Sequence, residues 1–437
     1  MKRILFLAMV GLLLAGFVLN GCSASTPSVT ATKELKIGSI VALKIPVGLE
    51  IKKWHDLFAK MINDQGGLKV GNTVYQIQMT AYDGNNMDPN ATSTAAQKAI
   101  SQDGCTILLD DWADVAELTA SIADPAHVLV LGMGSTNAAV QPTVNYYVRS
   151  SGVHFGRGLN YFVYQDYHKK GANTGLVCAG DSLEGHTQAT EYAATMQAAG
   201  IKVLSPVFYD ITTVDFTAFA TKIKSENPDM VDITGATNFP ALVSALKDSG
   251  WKGMIAPGGI SGRDTGNVVK MVGNYFDGAE TAMFDPRAIK QDADMQALID
   301  EYTKEYGTFS TDGCYWVAGW FMLKDAINAT KSVDPTVLKN YLQKGPPAVK
   351  TLVGYSQLFA RPDLQNFRTI DAAGGHGIGI VQNGNLVYYG QVAAQDQYLA
   401  SIVSYSQVDV YQKYWDQYGK PKFASEPALF TFADLTK

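Results

Sequence analysis

The chain has 437 residues, 46% of them hydrophobic and 17% charged, with 41 Asp and Glu against 35 Lys and Arg for a formal charge of −6. This mildly acidic, evenly mixed composition excludes the basic footprint of a nucleic-acid binder. The length exceeds what one hydrophobic core usually covers, so two lobes are expected.

Lys2 and Arg3 precede an apolar run from Ile4 to Leu19, which ends at Leu19-Asn20-Gly21-Cys22. A basic start, an apolar stretch and a small-residue cleavage site predict a secretory signal over residues 1–21. Residues 22–32, rich in Ser, Thr, Ala and Pro, form a flexible tether that cannot build a core. From Lys33 onward apolar runs alternate with amphipathic stretches. Leu35 to Ala42 reads as a buried strand, and Trp54, Leu57, Phe58, Met61 and Ile62 recur at helical spacing up to the stop at Gly66-Gly67. Val74–Tyr82 is a strand, 91–101 a helix, 105–109 a strand, 115–123 a helix and 128–131 a strand. Such repeats imply a mostly parallel sheet covered on both faces.

The rhythm restarts after Tyr147. Helices are predicted over 159–168, 187–199, 216–225 and 241–249, with strands over 175–179, 202–208, 230–234 and 254–257. Beyond Gly278 the pattern turns helical, with stripes at Met295 to Tyr306 and Tyr315 to Ala329. From Lys350 it is strand-like again, including a hairpin over 378–389 turning at Gly384-Asn385. The last forty or so residues carry no assignable pattern. Cys105, Cys178 and Cys314 lack the close spacing of a zinc knuckle and read as buried thiols, with one disulfide of a pairing the sequence does not give as the alternative in an oxidising compartment.

Read in order, these segments resemble the type I periplasmic binding protein family, in its branched-chain amino acid receptor branch. The markers are Ile37-Gly38-Ser39, Ile62-Asn63-Asp64-Gln65-Gly66-Gly67, Tyr82-Asp83, Asp88-Pro89, Asp215-Phe216, Asn227-Pro228-Asp229 and Gly375-His376. The resemblance implies an α/β fold of two doubly wound lobes joined by three crossover segments, with a solute held in the cleft between them. Lobe 1 is then expected over 33–150 and 279–345, and lobe 2 over 151–278 and 346–437. Leu19 to Cys22 resembles a bacterial lipobox, which implies lipidation at Cys22 and an exported protein tethered to a membrane. The implied partners are a small-molecule ligand and an ABC permease, with no cofactor. A ligand sensor of the same fold reporting to a signalling partner remains open beside the transport receptor.

In that branch a Ser and a Thr bind the ligand's α-carboxylate, and an acidic residue of the second lobe holds the ammonium. Here the Ser position falls at Ala113, between Trp112 and Asp114, the Thr position is kept as Thr136 beside Ser135, and the acidic position falls at Gly259. Glu184 replaces the tyrosine that often closes over the ligand. With half the clamp missing, an α-amino acid would bury a poorly paired ammonium, so another small organic molecule is expected. Trp112 offers a flat wall, Ser135 and Thr136 offer hydroxyls, and Glu184 with Asp111 can meet a cationic group. Asn238, between the strand at 230–234 and the next helix, and Arg263 complete the candidate set.

Enzymatic readings fare worse. Gly180-Asp181-Ser182-Leu183 spells the block of the GDSL esterases, but the one D-x-x-H pair, Asp124 to His127, lies upstream of it, and a serine without a positioned base is unactivated. The six histidines show no H-x-x-x-H or H-E-x-x-H spacing, so no metal site is expected.

Overall fold

The computed structural model describes residues 31–84, 88–110, 116–134, 137–150, 153–234, 239–258, 268–283, 285–288, 291–311, 313–374 and 376–425. Six strands open the chain: β1 Ala31–Val41, β2 Leu68–Val70, β3 Thr73–Asp83, β4 Ile107–Asp110, β5 Leu129–Gly132 and β6 Tyr147–Arg149. β1 runs parallel to β3 from Ala31 opposite Thr73 to Val41 opposite Asp83. Ala31 and Thr32, two residues of the expected tether, are therefore part of the sheet. Alternation along the central strands explains the double covering. Ile107, Leu109, Leu129 and Leu131 pack beside Trp54, Trp320 and Leu338, whereas Leu108 and Val130 pack beside Ala96, Ala116 and Ala120. The first helix, Pro46–Asp64, has proline in its first turn and ends ahead of Gly66 and Gly67, both at positive φ.

A second parallel sheet follows, built from β7 Thr174–Gly180, β8 Lys202–Val203, β9 Val207–Tyr209, β10 Met230–Thr234 and β11 Met254–Ala256, with β10 between β7 and β11. The single strand expected over 202–208 is two short ones, and both pair with β7. β12 Glu280–Met283 then carries the chain out of this lobe. The helices Ala293–Tyr306, Ala318–Thr330 and Pro335–Leu342 return it to the first lobe's core.

The three strands that follow, β13 Val349–Thr351, β14 Gly354–Arg361 and β15 Asn366–Gly374, differ from expectation. They extend the first sheet, where β15 pairs with β6, so the boundary set at residue 346 moves to the step from β15 to β16. β16 His376–Gln382 and β17 Asn385–Val392 form a three-stranded sheet with β12. Their hairpin closes with Gln382 opposite Asn385, so the turn is Asn383-Gly384, one residue earlier than expected. Both turn residues have positive φ, the requirement of a type I′ turn. The chain thus passes between the lobes three times, from β6 to β7, from β12 to β13 and from β15 to β16.

Charge is buried where these passages meet. Asp371 on β15 accepts from Arg149 Nη1 at 2.7 Å and from Arg361 Nη1 at 2.7 Å, and all three residues are fully buried. Arg361 also clasps Asp363 through Nη2 at 2.7 Å and lies over the Phe155 ring. Burial raises the Asp363 carboxyl, but Arg361 overrides that and holds it below the usual carboxylate range. The unassigned tail forms two helices, Ala394–Ser404 and Val408–Tyr418. Tyr398, Ile402 and Tyr411 pack with Phe155 after the first passage and with Phe359 and Ala373 of the first sheet. Tyr411 donates to Asp363 at 2.9 Å. The tail therefore covers the passages and contacts both lobes, whereas 346–437 as a whole was expected in lobe 2.

Removing the shared carboxylate takes from two buried guanidinium groups the charge they have in common. Asp371→Asn is expected to cost about 3–5 kcal/mol of stability, read by urea denaturation; a loss within the ordinary surface range of about 0.5 kcal/mol would contradict the assignment.

Candidate functional site

Helix Leu183–Ala198 starts at Ser182, whose Oγ accepts the Gly185 N–H at 3.0 Å as an N-cap. From there Glu184, Gln188, Glu191 and Thr195 recur at helical spacing, and all four are buried. A polar stripe turned inward needs partners. Arg157, just after the first passage, supplies them. Its Nη2 donates to Glu184 Oε1 at 2.7 Å, and its Nη1 bonds Glu191 Oε2. His154 Nδ1 meets Glu191 Oε1 at 2.9 Å. Gln188 donates to Glu184 Oε1 and accepts from Thr234 Oγ1, so the chain of bonds reaches the carboxyl end of β10.

The two glutamates sit in one network but differ electrostatically. Burial raises both. For Glu191 the pull of Arg157 and the His154 bond prevail and hold its pKa at about 2. For Glu184 burial prevails over Arg157, with the neighbouring Glu191 adding to it, and its carboxyl lies above the usual range. Burial and the nearby Arg361 lower the His154 imidazole, so it is neutral and donates from Nδ1. Glu184 Oε2 and His154 Nε2 have no hydrogen-bond partner among the described residues.

Asp232, two residues before the end of β10, accepts from the Tyr164 hydroxyl at 2.7 Å, and burial pushes its pKa up to about 8. Its Oδ1 is also without a partner among the described residues. A Cβ on Gly258 would stand 2.5 Å from that oxygen, so only glycine leaves room for the carboxyl. From the first lobe, buried Tyr315 lies within electrostatic reach of Arg157, Tyr192 and Arg149, which sets the cluster against the facing lobe.

Of the residues singled out from sequence, Glu184 is the one brought into this network. Asp111, Trp112, Ala113, Ser135, Thr136, Asn238, Gly259 and Arg263 lie outside the described residues, as does Cys22. Sequence reasoning missed Arg157, Glu191, His154 and Asp232. The glutamates alone carried a signal, seven residues apart on one helix face with Gln188 between them.

The competing motifs resolve into structure. Ser182 Oγ is engaged as a helix cap. Asp124 accepts the backbone N–H groups of Asn145 and Tyr146 at 2.6 Å each, while His127 stacks on Tyr146. Cys105, Cys178 and Cys314 are buried thiols. Among the described residues no group of three or more His, Cys, Asp or Glu is placed to hold a metal ion, and no helix is long and apolar enough to cross a membrane.

Residues 36–373 match the family model described as periplasmic binding protein. Among solved structures, the chain is similar to a leucine-binding protein from Thermotoga maritima, with 19% identity and a TM-score of 0.67 over 81% of this chain and 97% of that one. It is similar to a leucine-, isoleucine-, valine-, threonine- and alanine-binding protein from Brucella ovis in a closed conformation, with 19% identity and a TM-score of 0.67 over 83% and 96%. An ABC transporter solute-binding protein from R. palustris in complex with benzoate matches at 16% identity and a TM-score of 0.66 over 82% and 96%. At these identities the structural likeness shows the fold.

Asp232 makes stability depend on pH. Its carboxyl stays protonated in the folded chain up to about 8 but ionises near 3.8 when unfolded, so its contribution is complete below about 4 and is lost as pH rises to about 8. Asp232→Asn removes this dependence. The variant should gain on the wild type by a few kcal/mol across that window, measured as paired urea-unfolding free energies; a constant difference would contradict the neutral carboxyl.

Proposed function

The chain belongs to the periplasmic binding protein family, and on that premise we propose that it is an exported receptor that holds a small organic solute between its lobes and delivers it to an ABC importer. The family is one of binding proteins rather than enzymes, and it works outside the cytoplasm.

One observation carries the reading. Two parallel sheets bring strand ends and helix starts together, and the buried polar network of Arg157, Glu184, Gln188 and Thr234 gathers at those ends in the second lobe. In open α/β sheets that edge is where ligands bind. The candidates Asp111, Ser135, Asn238 and Gly259 each follow a strand's carboxyl end within four residues along the chain. Three passages between the lobes suit a hinge, and a solute that prefers the closed form shifts the equilibrium toward it.

The solute is not an ordinary α-amino acid on this reading, because Ala113 and Gly259 stand where the amino acid clamp needs a hydroxyl and a carboxylate. The structural neighbours include leucine and benzoate binders, so the fold accommodates either kind of ligand. Leu19 to Cys22 supports a lipid anchor.

A metabolite library tests the proposal through thermal denaturation and solution scattering of the mature protein. At least one small solute should raise Tm and contract the scattering envelope, with leucine and valine doing neither. No stabilisation across the library, or turnover of any compound, would overturn it. In cells, Cys22→Ser should move the protein from the membrane to the soluble fraction; unchanged fractionation would remove the lipid anchor.

A further inference from the structure

We infer that the cleft takes a ligand bearing a cationic group, such as a protonated amine, received by the free Oε2 of Glu184. The inference rests on the interlobe binding reading proposed above and names the ligand class for that site.

Among the described residues, two buried networks pair arginines with carboxylates, and they differ in composition. At the passages, two guanidinium groups, Arg149 and Arg361, face two carboxylates, Asp371 and Asp363. Charge there is balanced within the protein. In the second lobe one guanidinium, Arg157, faces two carboxylates, Glu184 and Glu191. His154, the other basic group bonded to the network, is held neutral by its burial. Among the described residues that cluster is one positive charge short whenever both glutamates are ionised.

The missing charge has a definite place. Both Glu191 oxygens are engaged, one by His154 and one by Arg157. Glu184 has two donors on Oε1, Arg157 and Gln188, and none among the described residues on Oε2, although the residue is 7% exposed. A buried carboxylate oxygen without a donor is costly, and an ammonium brought to it forms a charge-assisted bond while neutralising the excess charge. Glu184 lies in the first turn of its helix, at the sheet edge facing the other lobe, and Arg149 of that lobe is within its electrostatic reach. Arg149 is already committed to Asp371.

A carboxylate ligand meets the opposite conditions. At this cluster it would compete with Glu184 for Arg157 and add a further negative charge where there is already an excess. An α-amino acid carries its carboxylate one carbon from the ammonium, so it brings that repulsion with it. A cation whose acidic group is distant or absent avoids it. Among the described residues the groups facing Glu184 are Arg157, Gln188, Glu191, Tyr192 and Arg149, and burial among them leaves its carboxyl above the usual range. Acidification should therefore protonate Glu184 and weaken binding of the cation before ordinary carboxylates titrate.

Thermal denaturation and calorimetry of the mature protein at neutral pH test this with benzylamine, tyramine, choline and putrescine against benzoate, 4-hydroxybenzoate and leucine. At least one amine should stabilise the protein and the acids should not. Glu184→Gln should weaken that amine roughly 10- to 100-fold, with circular dichroism reporting whether the variant folds. The comparison of amines with acids in the wild type stands whether or not it does. Stabilisation by the acids or leucine alone, by none of the seven compounds, or an amine affinity unchanged in Glu184→Gln would each overturn the inference. Failure with these probes while neutral solutes of the wider library still close the lobes would overturn the ligand class and leave the receptor reading standing.

Discussion

Arg157 is the constraint on which the second lobe's site depends. Helix Leu183–Ala198 turns Glu184 and Glu191 inward, and without a guanidinium between them two carboxylates would be buried side by side. Isolated buried charges are not tolerated, so the arginine fixes where this helix lies relative to the first passage between lobes. The same bonds lead through Gln188 to Thr234, tying the start of one helix to the end of a neighbouring strand. A network tied this way to strand and helix ends is held by the scaffold itself, the kind of pre-organisation that lowers the ordering cost of binding.

The passages solve a related problem differently. Strands from distant parts of the chain meet around Asp371, and the tail helix at Val408–Tyr418 adds Tyr411 to Asp363. Charges there balance among the described residues, although Asp371 Oδ1 has no hydrogen-bond partner among them, and Phe155, Phe359 and Tyr398 pack beside them. Among the described residues one network balances its charges, and the other has a carboxylate in excess of its guanidinium. Their difference lies in stoichiometry rather than residue type.

Much of the fold was legible because buried parallel strands are short apolar runs, and helices such as Pro46–Asp64 carry both a stripe and a glycine stop. What escaped had tertiary causes. β12 is four residues long and begins with Glu280, which is buried against its partner Lys170 and the neighbouring strand β16. The tail helices bury Tyr398 and Tyr411 against residues from elsewhere in the chain, a context invisible in local periodicity. Helix Pro335–Leu342 is the exception, since Asp334 and Pro335 spell its cap and start. For the site, Glu184 was reachable through the family pattern. Arg157, His154 and Asp232 acquire meaning only through partners 27 to 68 residues away.

The most direct test of a solute held between two lobes is a crystal structure of the mature protein with whichever compound stabilises it in solution. The account predicts lobes closed on a molecule bonded to the Glu184 carboxyl at the ends of β7 and β10. A molecule seated elsewhere, or lobes left apart with the compound bound, would contradict it.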